Sequence, residues 1–77
     1  MSPKLPHLRA DAILRAFKRA RWYEHHQRGS HVYLRHPDKP GRQISIPMHR
    51  GRDVLPGTLA SILDQAGISV EDFIELL

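Results

Sequence analysis

Apolar residues recur at helical spacing in the first part of the chain. Ala10, Ile13, Leu14, Phe17 and Ala20 repeat at i, i+3, i+4, i+7 and so share one stripe of a 3.6-residue period. Arg15, Lys18 and Arg19 occupy the opposite face. The pattern predicts a helix over residues 8–20. Its N-cap is not readable, because Asp11 falls inside the pattern and no better capping residue precedes it. Pro3 and Pro6 oppose regular structure, so residues 1–7 read as an irregular leader.

The period then shortens to two. Residues 22–26 have the aromatic content of a short strand, and Gln27, Arg28 and Gly29 read as the turn that follows. Residues 30–36 read as a strand that sends Val32 and Leu34 to one face and His31, Tyr33 and Arg35 to the other. Pro37, Asp38, Pro40 and Gly41 mark a loop over residues 36–42. Residues 43–46 form a third strand with Ile44 and Ile46 inward, and Pro47 ends it or marks an edge. A loop over residues 48–55 leads to a second helix with Leu59, Ile62, Leu63 and Ala66 on its apolar stripe. Gly67 is placed as its C′ residue. Ser69 caps a third, short helix, with Asp72 at N3, Ile68 and Phe73 as a hydrophobic staple, and Leu76 and Leu77 at its end.

The predicted order is α-β-β-β-α-α in a single α+β domain spanning residues 1–77. A three-stranded antiparallel sheet has one apolar face, and the helices pack on that face. The shape is like that of a double-stranded-RNA-binding (dsRBD-like) domain, and shape alone carries no function. A chain of 77 residues buries only about 60% of its unfolded surface, so its core is thin and any chemistry belongs on an open face against a large ligand.

Charge sharpens the picture because it is lopsided. Residues 1–52 hold all 12 Lys and Arg against three acids, a net of +9, whereas residues 53–77 carry five acids and no base, a net of −5. The basic portion is suited to a polyanion, with nucleic acid first. The acidic portion suits a basic partner or the basic half of the same chain. No cysteine is present, which excludes disulfides, thiolate metal sites and cysteine nucleophiles and fits a cytoplasmic protein. No signal-peptide-like stretch and no run near the ~20 apolar residues of a membrane helix is found, so no membrane role is expected.

Histidine is the side chain suited to moving protons near neutral pH. RNA brings its own nucleophile, the 2′-OH, so cleavage needs a base for that proton, an acid for the leaving 5′-oxygen, and donors around the phosphorane. His31 follows a Gly-Ser turn on the open face, where a phosphodiester can reach it; the plainer reading is a surface histidine. Arg28 in the adjacent turn and Arg35 on the same face can hold phosphate, or can be solvated. Tyr33 can stack a splayed base, or simply protect the sheet. Gly29 supplies backbone freedom, and the Ser30 hydroxyl bonds locally. His49 can supply the missing acid or anchor its loop, with anchoring slightly favoured. His25, His26 and His36 have weaker claims. Arg15, Lys18 and Arg19 can track an RNA backbone, or form an ordinary exposed stripe. The six histidines lack metal-ligand spacing, and adjacent histidines on a strand face opposite ways, so neither metal nor cofactor is expected.

Three segments carry a resemblance to a known family. Gly29-Ser30-His31-Val32-Tyr33 resembles the GSH motif of the HicA (YcfA-like) toxin family. Ile44-Ser45-Ile46-Pro47-Met48-His49 is similar to its second strand signature, ending in Pro-x-His. The stretch from Pro56 through Ser69 resembles its GTLxxILxQAG helix. The likeness spans roughly residues 8–77. One departure is Arg21, where family members usually have Gly. A non-Gly residue makes a left-handed C-cap costly, so the first helix is expected to end differently. The resemblance implies a dsRBD-like fold, cleavage of messenger RNA by a toxin, and a HicB-type antitoxin that blocks it. It implies a catalytic role for His31 alone. The competing reading is a non-enzymatic RNA- or DNA-binding module, and a weaker third is an interaction module that uses the acidic C-terminal helices.

Overall fold

Ile13, Ala16 and Phe17 are fully buried in the computed structural model, which describes residues 5–49 and 51–77. They lie on helix α1 (Ala10–Arg19). Alanines favour this helix, and Asp11 in its first turn and Lys18 and Arg19 in its last complement the helix dipole. The helix begins two residues later than its apolar stripe predicts. Leu8–Arg9 instead forms strand β1, paired antiparallel with β5 (Asp53–Val54) through Leu8↔Val54 and Arg9↔Asp53. The expectation of a plain loop over residues 48–55 is corrected by the same ribbon. Two-residue strands have no periodicity to read, and tertiary pairing creates them. The leader expectation falls partly on residues 1–4, outside the described residues; residues 5–7 have no regular structure.

The end of α1 also corrects an expectation. Arg21 adopts φ 76°, the left-handed region. Its N–H reaches the Lys18 carbonyl at 3.0 Å, and the Trp22 N–H reaches the Phe17 carbonyl at 3.1 Å. This is a Schellman ending with arginine in the glycine position. Trp22, expected to open a strand, is instead buried in the core, edge-on to Phe17 at 6.0 Å.

The main sheet has the order β2-β3-β4, from β2 (Tyr23–Arg28), β3 (His31–Arg35) and β4 (Gln43–Pro47), all antiparallel. The first turn lies one residue later than expected. Gln27 and Arg28 belong to β2, paired with Val32 and His31, so only Gly29 and Ser30 make the turn. Gly29 has φ 59° and Ser30 is not a positive-φ residue, which is the pattern of a type II′ hairpin turn. A register shift between Glu24 and His26 bulges β2.

Val32, Leu34, Ile44 and Ile46 form the apolar face of the sheet. Against them pack α1 and helix α2 (Pro56–Ala66), which buries Leu59, Ile62, Leu63 and Ala66. Helix α3 (Val70–Glu75) adds Phe73, whose ring lies 5.7 Å from that of Phe17. Removing a ring so enclosed as Phe17 costs about 3–5 kcal/mol, a large share of the ~5–15 kcal/mol that holds an ordinary domain together. The α+β arrangement, with one sheet face covered by helices, is the expected one. Gly67 ends α2 in the left-handed conformation at φ 73°, and the Ser69 hydroxyl accepts the Asp72 N–H at 3.1 Å, both as the sequence implies. No helix among the described residues is long and apolar enough to cross a membrane.

Candidate functional site

The turn fixes where His31 stands. Gly29 and Ser30 reverse the chain so that His31 is the first residue of β3, opposite Arg28 on β2 and Pro47 on β4. Alternation then puts Tyr33 opposite His26 and Ser45, and Arg35 opposite Tyr23 and Gln43, all on the face away from the helices. His31 is exposed, whereas Tyr33 and Arg35 are half-buried.

Strand β4 is an edge, and its phase is readable from one hydrogen bond. The Ser45 N–H points outward and is accepted by Gln65 Oε1 of α2 at 3.0 Å. Ser45 and Tyr33 are therefore a non-hydrogen-bonded pair, and so are Pro47 and His31 two residues along. Such pairs bring their side chains closest together. Pro47 is tolerated because its missing N–H would have faced the open edge. The Met48 N–H reaches the Ser30 carbonyl, so the ladder extends one step past Pro47. His49 follows one residue after that bond, at the same end of the sheet as His31.

A cleft of about 500 Å³ opens at this end of the sheet, lined by His31, Pro47, His49, Arg52, Leu55 and Thr58 with parts of β5. That volume lies within the range of small-ligand sites. His31, His49 and Arg52 are all exposed. Of the other histidines, His36 bonds the Ala20 carbonyl at 2.8 Å, and His25 and His26 share a 2.8 Å contact between their Nδ1 atoms. Among the described residues neither the His31 nor the His49 ring has such a bond. The carboxylate on the cleft wall, Asp53, lies 3.9 Å from Arg9 Nε. Helix α2 starts at the same cleft with Pro56 at its first turn and no side-chain cap, which leaves the positive end of its dipole facing the cleft.

The other sequence candidates separate into groups. Arg28 stands next to His31. Arg35 is four residues along the strand, roughly 13 Å away at ~3.3 Å per residue, and its Nε donates to Gln43 Oε1 at 3.3 Å. The Tyr33 ring is stacked on His26 at 4.4 Å with planes 8° apart. Rings in contact are about 3.5 Å apart, so these two face each other and stand up from the sheet. One face of Tyr33 is thus taken, and the other looks over Ser45. Arg15, Lys18 and Arg19 lie on the helix layer, away from that face. Arg15 pairs with Asp11 at 3.3 Å, Lys18 with Glu24 at 2.9 Å, and Arg19 Nη1 donates to the Leu76 carbonyl at 2.7 Å. The two exposed ion pairs, of Arg15 and Lys18, are worth about 0–1 kcal/mol each and so cost little to exchange for a phosphate.

Sequence reasoning missed Arg52. Its signal was the basic run beginning at His49, but only the fold brings Arg52 to the cleft that His31 lines. Among the described residues no group of three or more His, Cys, Asp or Glu could hold a metal ion.

Comparison with known proteins adds one match. The model of a family described as HicA toxin of bacterial toxin-antitoxin matches residues 10–68, from the start of α1 to just past α2. No curated protein matches the chain significantly.

Proposed function

The chain belongs to the HicA toxin family of bacterial toxin–antitoxin systems, and we propose that it acts as a metal-independent endoribonuclease of messenger RNA, blocked by an antitoxin protein of the HicB type. The observation that supports this reading most is the exposed His31 ring at the mouth of a cleft that also holds Arg52, with Arg28 across the hairpin. The 2′-OH of the ribose attacks the adjacent phosphorus, and His31 takes its proton. The arginines stabilise charge that accumulates on the phosphorane oxygens. Arg15, Lys18 and Arg19 add salt-dependent attraction for the rest of the strand, and the free face of Tyr33 offers a base a stacking surface. The antitoxin covers the His31 cleft, where a partner excludes RNA by occupying it. The protein works in the cytoplasm, where messenger RNA is found.

The test is to incubate the protein with a defined RNA in EDTA and identify the product ends by mass spectrometry. A 2′,3′-cyclic phosphate and a 5′-hydroxyl are expected. Salt-sensitive binding that leaves the RNA whole points instead to a non-enzymatic binding module.

A further inference from the structure

We infer that His49 is the second proton-transfer residue of this site, the general acid that protonates the leaving 5′-oxygen; this rests on the ribonuclease reading above. In an in-line displacement the attacking and leaving oxygens lie on opposite sides of phosphorus. Acid and base must therefore flank the phosphate from two directions, each within about 2.6–3.2 Å of its oxygen. One imidazole cannot reach both at once. The end of the β3–β4 pair provides two. His31 opens β3, His49 comes one residue after the Met48–Ser30 bond that follows β4, and both line the same cleft, which has room for a phosphate.

Both residues line one cleft of about 500 Å³, with Arg52 on its wall. Both are exposed, and no described residue holds either ring by a hydrogen bond. A histidine that anchors a loop would show such a bond, as His36 does to the Ala20 carbonyl and the Asp38 N–H. Among the described residues no such bond ties the His49 ring down, which leaves it open to a phosphate. None of the other four histidines lines this cleft. His36 is committed to those two bonds, His25 and His26 are on β2, with His26 packed on Tyr33, and His7 precedes β1.

The step balances as follows. The 2′-oxygen forms a bond to phosphorus as its proton passes to neutral His31. The P–O5′ bond breaks as protonated His49 gives its proton to the 5′-oxygen. The products are a 2′,3′-cyclic phosphate and a 5′-hydroxyl, with His31 left protonated and His49 neutral. Proton exchange with water resets the pair.

The experiment compares two RNAs of one sequence, one with the ordinary 5′-oxygen at the scissile bond and one with a bridging 5′-sulfur. A thiolate leaves without protonation and so needs no acid. Wild type, His49→Ala, His49→Gln and His31→Ala are assayed on both, with circular dichroism confirming equal folding. The assignment expects both His49 variants to lose about 10²-fold or more on the oxygen substrate and to cut the sulfur substrate near the wild-type rate. His31→Ala loses activity on both. Wild-type rates for His49→Ala on the oxygen substrate overturn the assignment, and so does an equal loss on both substrates, which is the mark of a binding or structural role. If wild type leaves the oxygen substrate intact, the ribonuclease reading itself fails and takes the assignment with it.

Discussion

Arg28 and His31 are cross-strand partners, held opposite each other by the two residues between them, Gly29 and Ser30. A guanidinium and an exposed imidazole are thereby presented together at the end of a sheet, and neither needs a long loop to bring it there. The motif Gly-Ser-His is thus a turn that aims a side chain. The first two residues set the backbone, and the third is the side chain proposed for the chemistry.

Replacing Gly29 by Ala tests the aiming. A Cβ at this position meets nothing within 4 Å, so the cost is conformational only, about 1–2 kcal/mol for an L-residue at positive φ. In a domain of this size that lowers Tm by roughly 4–8 °C per kcal/mol, measured by thermal denaturation. Activity falls at temperatures where the variant is still folded, because the turn relaxes and His31 shifts. An unchanged Tm contradicts the turn assignment.

The two arginines of the open face should separate in an RNA-cleavage assay. Arg28→Ala is expected to lower kcat by about 10-fold or more, since Arg28 stands beside His31 and a lost charge-assisted bond is worth about 1.5–3 kcal/mol. Arg35→Ala leaves kcat within about 2-fold and weakens only the salt-dependent binding, as expected of a phosphate contact distant from the chemistry. Equal kcat losses would contradict the geometry.

Arg21→Gly should stabilise the protein. Relief of the left-handed arginine at φ 76° is worth about 1–2 kcal/mol, and the looser unfolded chain takes back about 0.5–1 kcal/mol. The ion pair lost with it, Arg21 Nη1 to Asp38 at 2.8 Å, has both side chains more than half exposed and is worth at most about 1 kcal/mol. Urea titration is expected to show a gain of up to about 1.5 kcal/mol. Asp38→Ala, which removes the pair alone, is expected to change little. A loss for Arg21→Gly that Asp38→Ala reproduces would show that the pair outweighs the backbone strain.

Gln65 blunts the edge of the sheet. Its side chain accepts the outward Ser45 N–H, while its carbonyl accepts Arg42 Nη1 at 3.0 Å. Gln65→Ala is expected to speed hydrogen exchange at the Ser45 amide and cost about 0.5–1.5 kcal/mol. It also leaves β4 open to pairing with another strand. Unaltered exchange at Ser45 would show that Gln65 does not protect the edge.

Most of the fold was legible because its larger elements bury one face. The stripe through Ile13 and Phe17, the alternation of Val32 with Leu34 and Ile44 with Ile46, and the caps at Gly67 and Ser69 each leave a period or a residue type to read. Strand β2 did not, because all six of its residues are exposed and no apolar alternation marks where it ends. The β1–β5 ribbon is two residues a side, below the length at which any period exists. The left-handed Arg21 runs against its own side-chain preference, and the surrounding hydrogen bonds impose it. His31 was legible from its turn. Arg52 was not, and the convergence of His49 with His31 depends on a ladder register that no local pattern specifies.

The proposed role of His31 is tested most directly by incubating wild type and His31→Ala, matched for folding by circular dichroism, with end-labelled RNA in EDTA. Wild type is expected to cut the RNA without metal, and His31→Ala, equally folded, to cut about 10²–10⁴-fold more slowly. Cleavage by His31→Ala at the wild-type rate would contradict that role.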